Sequence, residues 1–241
     1  MSIARLAIAV ALTALTLTPA RSGDTATLEI LGFSEDGKIF AFEEYGVQDG
    51  SGFPYANRFY IDTQTDKFLP DTPVRVRLDD EQATIDAVRD EVKTKAQSII
   101  SDDILRRNQG YTVGLNPVTE LSTDPHRITV NPRPVFPPID APLAFTLEEK
   151  VMDAPENCEL FGPRVGFRLL RIGTEPGAET QLLHDDKSVP SSRGCPLGYQ
   201  LAGVQTFYPE GGNPVYAVIL AVRAGGFEGP DHRYIAVTGK Y

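Results

Sequence analysis

Phe33-Ser-Glu-Asp-Gly-Lys-Ile-Phe-Ala-Phe-Glu-Glu-Tyr-Gly-Val-Gln-Asp-Gly-Ser-Gly-Phe-Pro-Tyr-Ala-Asn-Arg-Phe-Tyr-Ile-Asp62 is the densest run of aromatic residues, glycines and carboxylates in the chain. Its order reads as strand end, tight turn, strand, loop and strand. Ser34 to Gly37 forms the turn, because glycine reaches the positive φ that a tight hairpin needs. Lys38 to Tyr45 is a strand apolar on both faces over Ile39 to Phe42, the pattern of an interior strand. Its end, Glu43-Glu44-Tyr45, reads as running toward a rim. Gly46 to Pro54 carries no regular period, and Ala56 to Asp62 is the next strand. Thr25 to Phe33 precedes the turn as a first strand, and Asp66 to Val76 contains a short fourth one.

Further along, Asp79 to about Ile100 is the one long helix the pattern predicts. Ile85, Val88, Val92, Ala96 and Ile99 form its apolar stripe, Asp79 or Asp80 its cap, and Ser101-Asp102-Asp103 its break or a short restart. Asn116 to Pro142 holds seven prolines. It reads as an extended connector, able to supply sheet edges but no central ladder. Beyond it the chain is β-rich: Phe145–Met152, Val165–Ile172, Gln181–His184, Tyr199–Tyr208, Val215–Arg223 and Arg233–Thr238. Val215 to Val222, an unbroken apolar run, predicts a strand covered on both faces. The expected fold is mainly β (α+β): an antiparallel meander with one long helix over 23–115, the connector over 116–142, and an antiparallel sheet or sandwich over 143–241. The two parts are allowed one shared core. Asp36–Phe42 and Asp231–Val237 echo each other as an acidic turn residue, a cation and an apolar strand, which suggests a turn and inner meander strand in both.

Residues 1–22 read as a secretory signal peptide: Arg5, an apolar run from Leu6 to Leu17 and a small-residue cleavage region. That run is too short for a membrane anchor. The expected location is therefore outside the cytoplasm, in the bacterial periplasm. Two cysteines in an oxidising compartment predict one disulfide, Cys158 to Cys195, closing 37 residues of chain. The formal net charge of −10, with scattered Lys and Arg, excludes a nucleic-acid partner, whose phosphates require basic surface. It equally disfavours an anionic membrane.

The turn-and-strand phrase Phe33–Phe42 resembles the blade repeat of TolB-type propellers. A propeller needs at least about four four-stranded blades, and the helix and proline segment leave too little chain, so a single blade-like meander is expected. FAFEEYGVQDGSGFPYAN (Phe40 to Asn57), the helix after Arg77-Leu78-Asp79-Asp80-Glu81, and GGFEGPDHRYIAVTG (Gly225 to Gly239) are together similar to a bacterial family of predicted secreted proteins of unknown function. The resemblance implies export and a shared fold, and no activity.

Candidate chemistry centres on two loops. Phe53, Pro54 and Tyr55 on the glycine-rich loop, beside Glu43, Glu44, Tyr45 and Asn57, offer aromatic faces and polar groups. Phe227, Glu228 and Asp231 form a second loop of similar composition. The pair predicts a binding or interaction module for a periplasmic protein or small ligand, with Asp49 and Ser51 included in the site. An exported hydrolase using Glu43, Asp49 and Asp231 is the alternative, and a structural envelope protein a third. Asp49-Gly-Ser51-Gly52 departs from serine-nucleophile loops, so Ser51 with His232 makes no expected triad. Asp49 alone supplies too little of a calcium loop, and His126, His184 and His232 lack zinc spacing. No metal or cofactor is expected.

Overall fold

A computed structural model describes residues 23–153, 158 and 161–241; the signal peptide expected over 1–22 lies outside the described residues. Thirteen strands follow in order: β1 Thr27–Phe33, β2 Ile39–Val47, β3 Pro54–Asp62, β4 Lys67–Phe68, β5 Val74–Arg77, β6 Tyr111–Leu115, β7 Arg127–Val130, β8 Leu143–Met152, β9 Arg164–Ile172, β10 Gln181–Asp185, β11 Pro196–Phe207, β12 Val215–Gly225 and β13 Pro230–Lys240. Two helices, α1 Ile85–Ala96 and α2 Asp102–Arg107, separate β5 from β6.

The strands build three antiparallel sheets: the meander β1-β2-β3-β4 with β5 also on β3, a sheet β10-β9-β8-β7, and a central sheet β13-β12-β11-β6. The central sheet is apolar on both faces because β12 is. Tyr216, Val218, Leu220 and Val222 meet Phe145, Leu147, Phe167 and Leu169 of the β7–β10 sheet. Their alternates Val215, Ala217, Ile219 and Ala221 meet Phe33, Phe40, Phe42 and Phe59 of the meander. A period of two on a strand sends alternate side chains to opposite sides, so one eight-residue apolar run serves two cores.

The meander's other face carries the helices. Ala41 and Tyr60 pack with Ala96 and Leu105, and Ala56 and Val76 with Val88 and Val92. The layers are thus helices, meander, central sheet and outer sheet, a mainly β fold and not a radial array of blades. α1 begins at Ile85, the first residue of its apolar stripe, and not at the expected Asp79. Thr84, not Asp79 or Asp80, caps it by accepting from Ala87 N, while Asp80 accepts from Gln82 N in a preceding turn. Ser101 caps the restart at α2. Leu105 O lies 2.2 Å from where a Cβ on Gly32 would sit, and Gly32 has φ +127° at a β1 bulge. Only glycine lets α2 approach there.

Within the proline-rich stretch β7 forms, paired with β8 at a sheet edge, where missing N–H donors are tolerated. Cys158 and Cys195 are bridged, with Cα atoms 5.5 Å apart. The echo between Asp36–Phe42 and Asp231–Val237 does not extend to position: β2 is interior to its sheet, whereas β13 is an edge.

Candidate functional site

The edge strand β13 lies between the two outer sheets, and a cleft of about 970 Å³ opens along it. One wall comes from β3, β4 and β5, with Asn57, Phe59, Phe68 and Arg75. Asn57 and Arg75 are direct cross-strand partners, as are Tyr55 and Arg77, so both arginines emerge on the face opposite the helices. The other wall comes from Phe167, His184 and the segment Pro190–Arg193.

Unprotected sheet edges invite strand addition, and this one is closed by side chains. Residues 24–26 cover its start: His232 N donates to Asp24 O at 2.8 Å and Ala26 N to His232 O at 3.1 Å. Beyond, Tyr234 N donates to Glu44 Oε2 at 2.7 Å and Thr238 N to Asp66 Oδ1 at 2.7 Å. The alternation of an antiparallel strand leaves Ala236 N–H as the outward donor between these two caps. Burial raises the pKa of both capping carboxylates, against the backbone and side-chain donors that favour their charged forms.

The second wall is organised by Asp186, which is 4% exposed. Its carboxylate accepts from Phe167 N at 3.0 Å and from Arg193 Nη1 at 2.6 Å, and lies 2.8 Å from His184 Nε2. Burial pushes against the charge, but these partners outweigh it and hold the carboxyl at about 2. The His184 ring stacks on Phe167 with centroids 4.4 Å apart. His184 and Asp185 end β10, as the strand expected over Gln181–His184 requires, and Asp186 just beyond them is the buried hub.

The residues expected at the site divide. Glu43 is buried and faces the helices, with Arg58 Nε at 2.7 Å and Arg89 Nε at 2.6 Å. Tyr45 lies on that face under Arg89, 4.1 Å from its ring. Glu44 faces the cleft and accepts from Asn57 Nδ2 at 3.0 Å. Pro54 and Tyr55 belong to β3, not to a loop; Tyr55 is buried and donates to Asp24 Oδ1 at 3.1 Å. Phe53 stays at the tip, with Arg77 5.8 Å from its ring. Ser51 donates to Gln48 while His232 Nδ1 lies 3.5 Å from Thr25 Oγ1, so no serine–histidine contact forms.

The two glycine-rich loops meet. Glu228 N donates to Asp49 Oδ2 at 2.6 Å, and a Cβ on Gly50 (φ +81°) would lie 2.9 Å from the Phe227 ring. Asp231 instead turns inward and accepts from Asp24 N at 2.9 Å. Glu43, Asp49 and Asp231 therefore point to three separate surroundings, and none lines the cleft. Among the described residues no three His, Cys, Asp or Glu side chains are grouped to hold a metal.

Arg75, Asp66, Phe68 and Arg193 were not legible as site residues. Asp66, Phe68 and Arg75 share one short segment, but Arg193 lies far along the chain, and only sheet stacking sets it opposite them. Their one local signal is Lys67-Phe68, a cation beside an aromatic in a two-residue strand, of which Phe68 remains 50% exposed.

Among the described residues no helix is long and apolar enough to cross a membrane. No curated protein and no solved structure matches the chain. One family model does match, over residues 41–240, which takes in both loops, both helices and nearly every strand: the chain belongs to the family of predicted secreted proteins designated DUF2259.

Proposed function

We propose that this is an exported, non-catalytic binding module of the periplasm, and that its ligand enters the cleft along β13 at the end formed by the 46–57 and 225–231 loops. The observation that carries the reading is the cleft. Its volume of about 970 Å³ is at the upper end of the roughly 300–1,000 Å³ range of small-ligand sites. Gln48 of the first loop lines it and accepts from Arg77 at 3.2 Å, so loop and cleft are continuous. A purely structural role predicts no such opening.

The arrangement of carboxylates supports binding over hydrolysis. Glu44 and Asp66 hold N–H groups of residues 234 and 238 on one strand. At about 3.4 Å per residue this separates them by roughly 13 Å, beyond the roughly 5–9.5 Å between paired glycosidase carboxyls. Both are also committed to backbone donors.

The test compares wild type with Ser192→Trp, which places a large ring at the exposed 3-10 turn on the cleft wall. Thermal midpoints are measured against fractions of a periplasmic extract, and the bound compound is recovered and weighed by mass spectrometry. A compound that raises the midpoint of wild type, not of the variant, and returns unchanged supports the reading. Recovery of a chemically altered product, or equal shifts in both proteins, overturns it.

A further inference from the structure

We infer that the cleft takes an anionic amphiphile, a carboxylate or phosphate head held by Arg75 with an apolar body lying over Phe68. The inference rests on the cleft being the binding site. It begins from the charges lining the cleft. Three of its cations are already neutralised: Arg77 by Asp79 at 2.7 Å, Arg193 by Asp186 at 2.6 Å and Arg233 by Asp24 at 2.5 Å. Its carboxylates are equally engaged, Asp79 by Arg77 and Glu44 and Asp66 by β13 N–H groups. Arg75, which meets the charge of Glu44 only through space, and Lys67 remain, their side chains with no hydrogen bond or ion pair among the described residues. A chain of net charge −10 thus keeps two uncommitted cations in its cleft, and a ligand anion supplies the missing partner.

The apolar half follows from what surrounds Arg75. Its guanidinium carbon lies 5.4 Å from the Phe59 ring centroid, and Phe59 lies 6.0 Å from Phe68. Phe68 is half-exposed at the rim. Phe59 itself is 4% exposed, so a head bound at Arg75 would carry its tail past it and over the Phe68 ring, covering apolar surface that water now touches. A bare anion leaves that surface wet. An extended peptide is disfavoured, because Glu44 and Asp66 occupy outward donors that strand addition would use. A cationic amphiphile would find no uncommitted carboxylate.

Calorimetric titration of the oxidised protein tests this with four probes, each below its micellar concentration where one exists: dodecanoate, dodecyl phosphate, dodecyltrimethylammonium and inorganic phosphate. We expect at least one dodecyl anion to bind, its head identifying carboxylate or phosphate chemistry. The ammonium and inorganic phosphate should bind at least tenfold more weakly. Loss of one charge-assisted contact in Arg75→Gln should weaken the anion roughly tenfold or more, with Arg75→Lys between, and shortening dodecanoate to decanoate should weaken it by roughly tenfold. Circular dichroism confirms that the variants, changed at an exposed side chain, stay folded. Equal affinity for the ammonium, no binding of either dodecyl anion, or an unchanged affinity in Arg75→Gln overturns the inference. Anion binding indifferent to Ser192→Trp also overturns the inference; if Ser192→Trp still abolishes the midpoint shifts seen with extract, the binding reading survives these failures, and equal extract shifts in both proteins overturn it as well.

Discussion

Glu43 and Glu44 are adjacent in the chain and buried on opposite faces of β2, 0% and 2% exposed. Glu43 is directly opposite Arg58 in the β2–β3 ladder and Glu44 opposite Asn57, so each carboxylate meets its partner across the same pair of strands. The first joins meander to helices through Arg58, Arg89 and Asp102. The second joins meander to central sheet through Tyr234 N. Two consecutive charges therefore tie one sheet to the layers on either side of it.

The Glu43 side of this arrangement predicts a large, asymmetric mutational response. Arg58→Met leaves Glu43 and Asp102 short of a cation inside the helix–sheet interface, and breaking such a pair costs about 3–5 kcal/mol. Arg89 is more exposed, at 28%, and its loss leaves the Arg58 contact intact, so Arg89→Met should cost about 1 kcal/mol. Urea unfolding gives both values. Glu43→Leu/Arg58→Met should regain part of the loss, since the buried carboxylate left with the partly exposed Arg89 alone is removed together with Arg58; a double variant worse than Arg58→Met would contradict this account.

The Glu44 side predicts a pH signature. Burial raises the folded-state pKa of Glu44 above its unfolded value, so between those two values the native state holds the extra proton. Stability from this group then rises as pH falls through the raised pKa and declines as pH rises. Glu44→Gln removes that titration. Its stability relative to wild type should be greatest near neutrality and should fall as pH is lowered toward 4. Melting curves across that window decide the sign: a relative stability that grows on acidification would mean a lowered pKa for Glu44.

What the sequence made legible follows from how local each signal is. The apolar run Val215 to Val222 needs no partner to declare itself two-faced, and Val88, Val92 and Ala96 repeat at helical spacing whatever they pack against. Glu43-Glu44 misled toward a rim because the cations that neutralise Glu43 sit 15 and 46 positions away, beyond any periodic window. The cleft was hidden for the same reason, since Arg75, Phe167, His184 and Arg193 share no segment. The meeting of the 46–57 and 225–231 loops was suggested by composition, two glycine-rich hairpin tips each with a phenylalanine and a carboxylate, but only β-sheet stacking sets them side by side.

The disulfide predicts a redox dependence of stability. Cys158 and Cys195 close 37 residues of sequence separation, which in the chain-entropy account stabilises by about 4 kcal/mol. The closed loop contains β9, β10 and the Asp186–Arg193 contact on the cleft wall. Cys158→Ser/Cys195→Ser should lower the urea midpoint markedly, and reductant should lower wild type to the same value while leaving the variant unmoved. An identical midpoint for oxidised and reduced wild type would remove the bridge from the stability of this fold.

The contact between the loops predicts a local effect without a global one. Asp49 Oδ2 accepts from Glu228 N, and Phe227, 80% exposed, lies against Gly50 where any side chain would collide. Asp49→Ala removes one largely exposed hydrogen bond, worth about 1 kcal/mol, so the unfolding midpoint should barely move. The amide of Glu228 should nevertheless exchange faster, because opening the 225–231 hairpin tip no longer breaks that bond. Gly50→Ala should act more strongly on the same amide, since it both strains a positive-φ site and pushes Phe227 away. Hydrogen exchange followed by mass spectrometry on peptides spanning 224–232 reads both variants. Unchanged protection at that tip in both would mean that the two loops are independent.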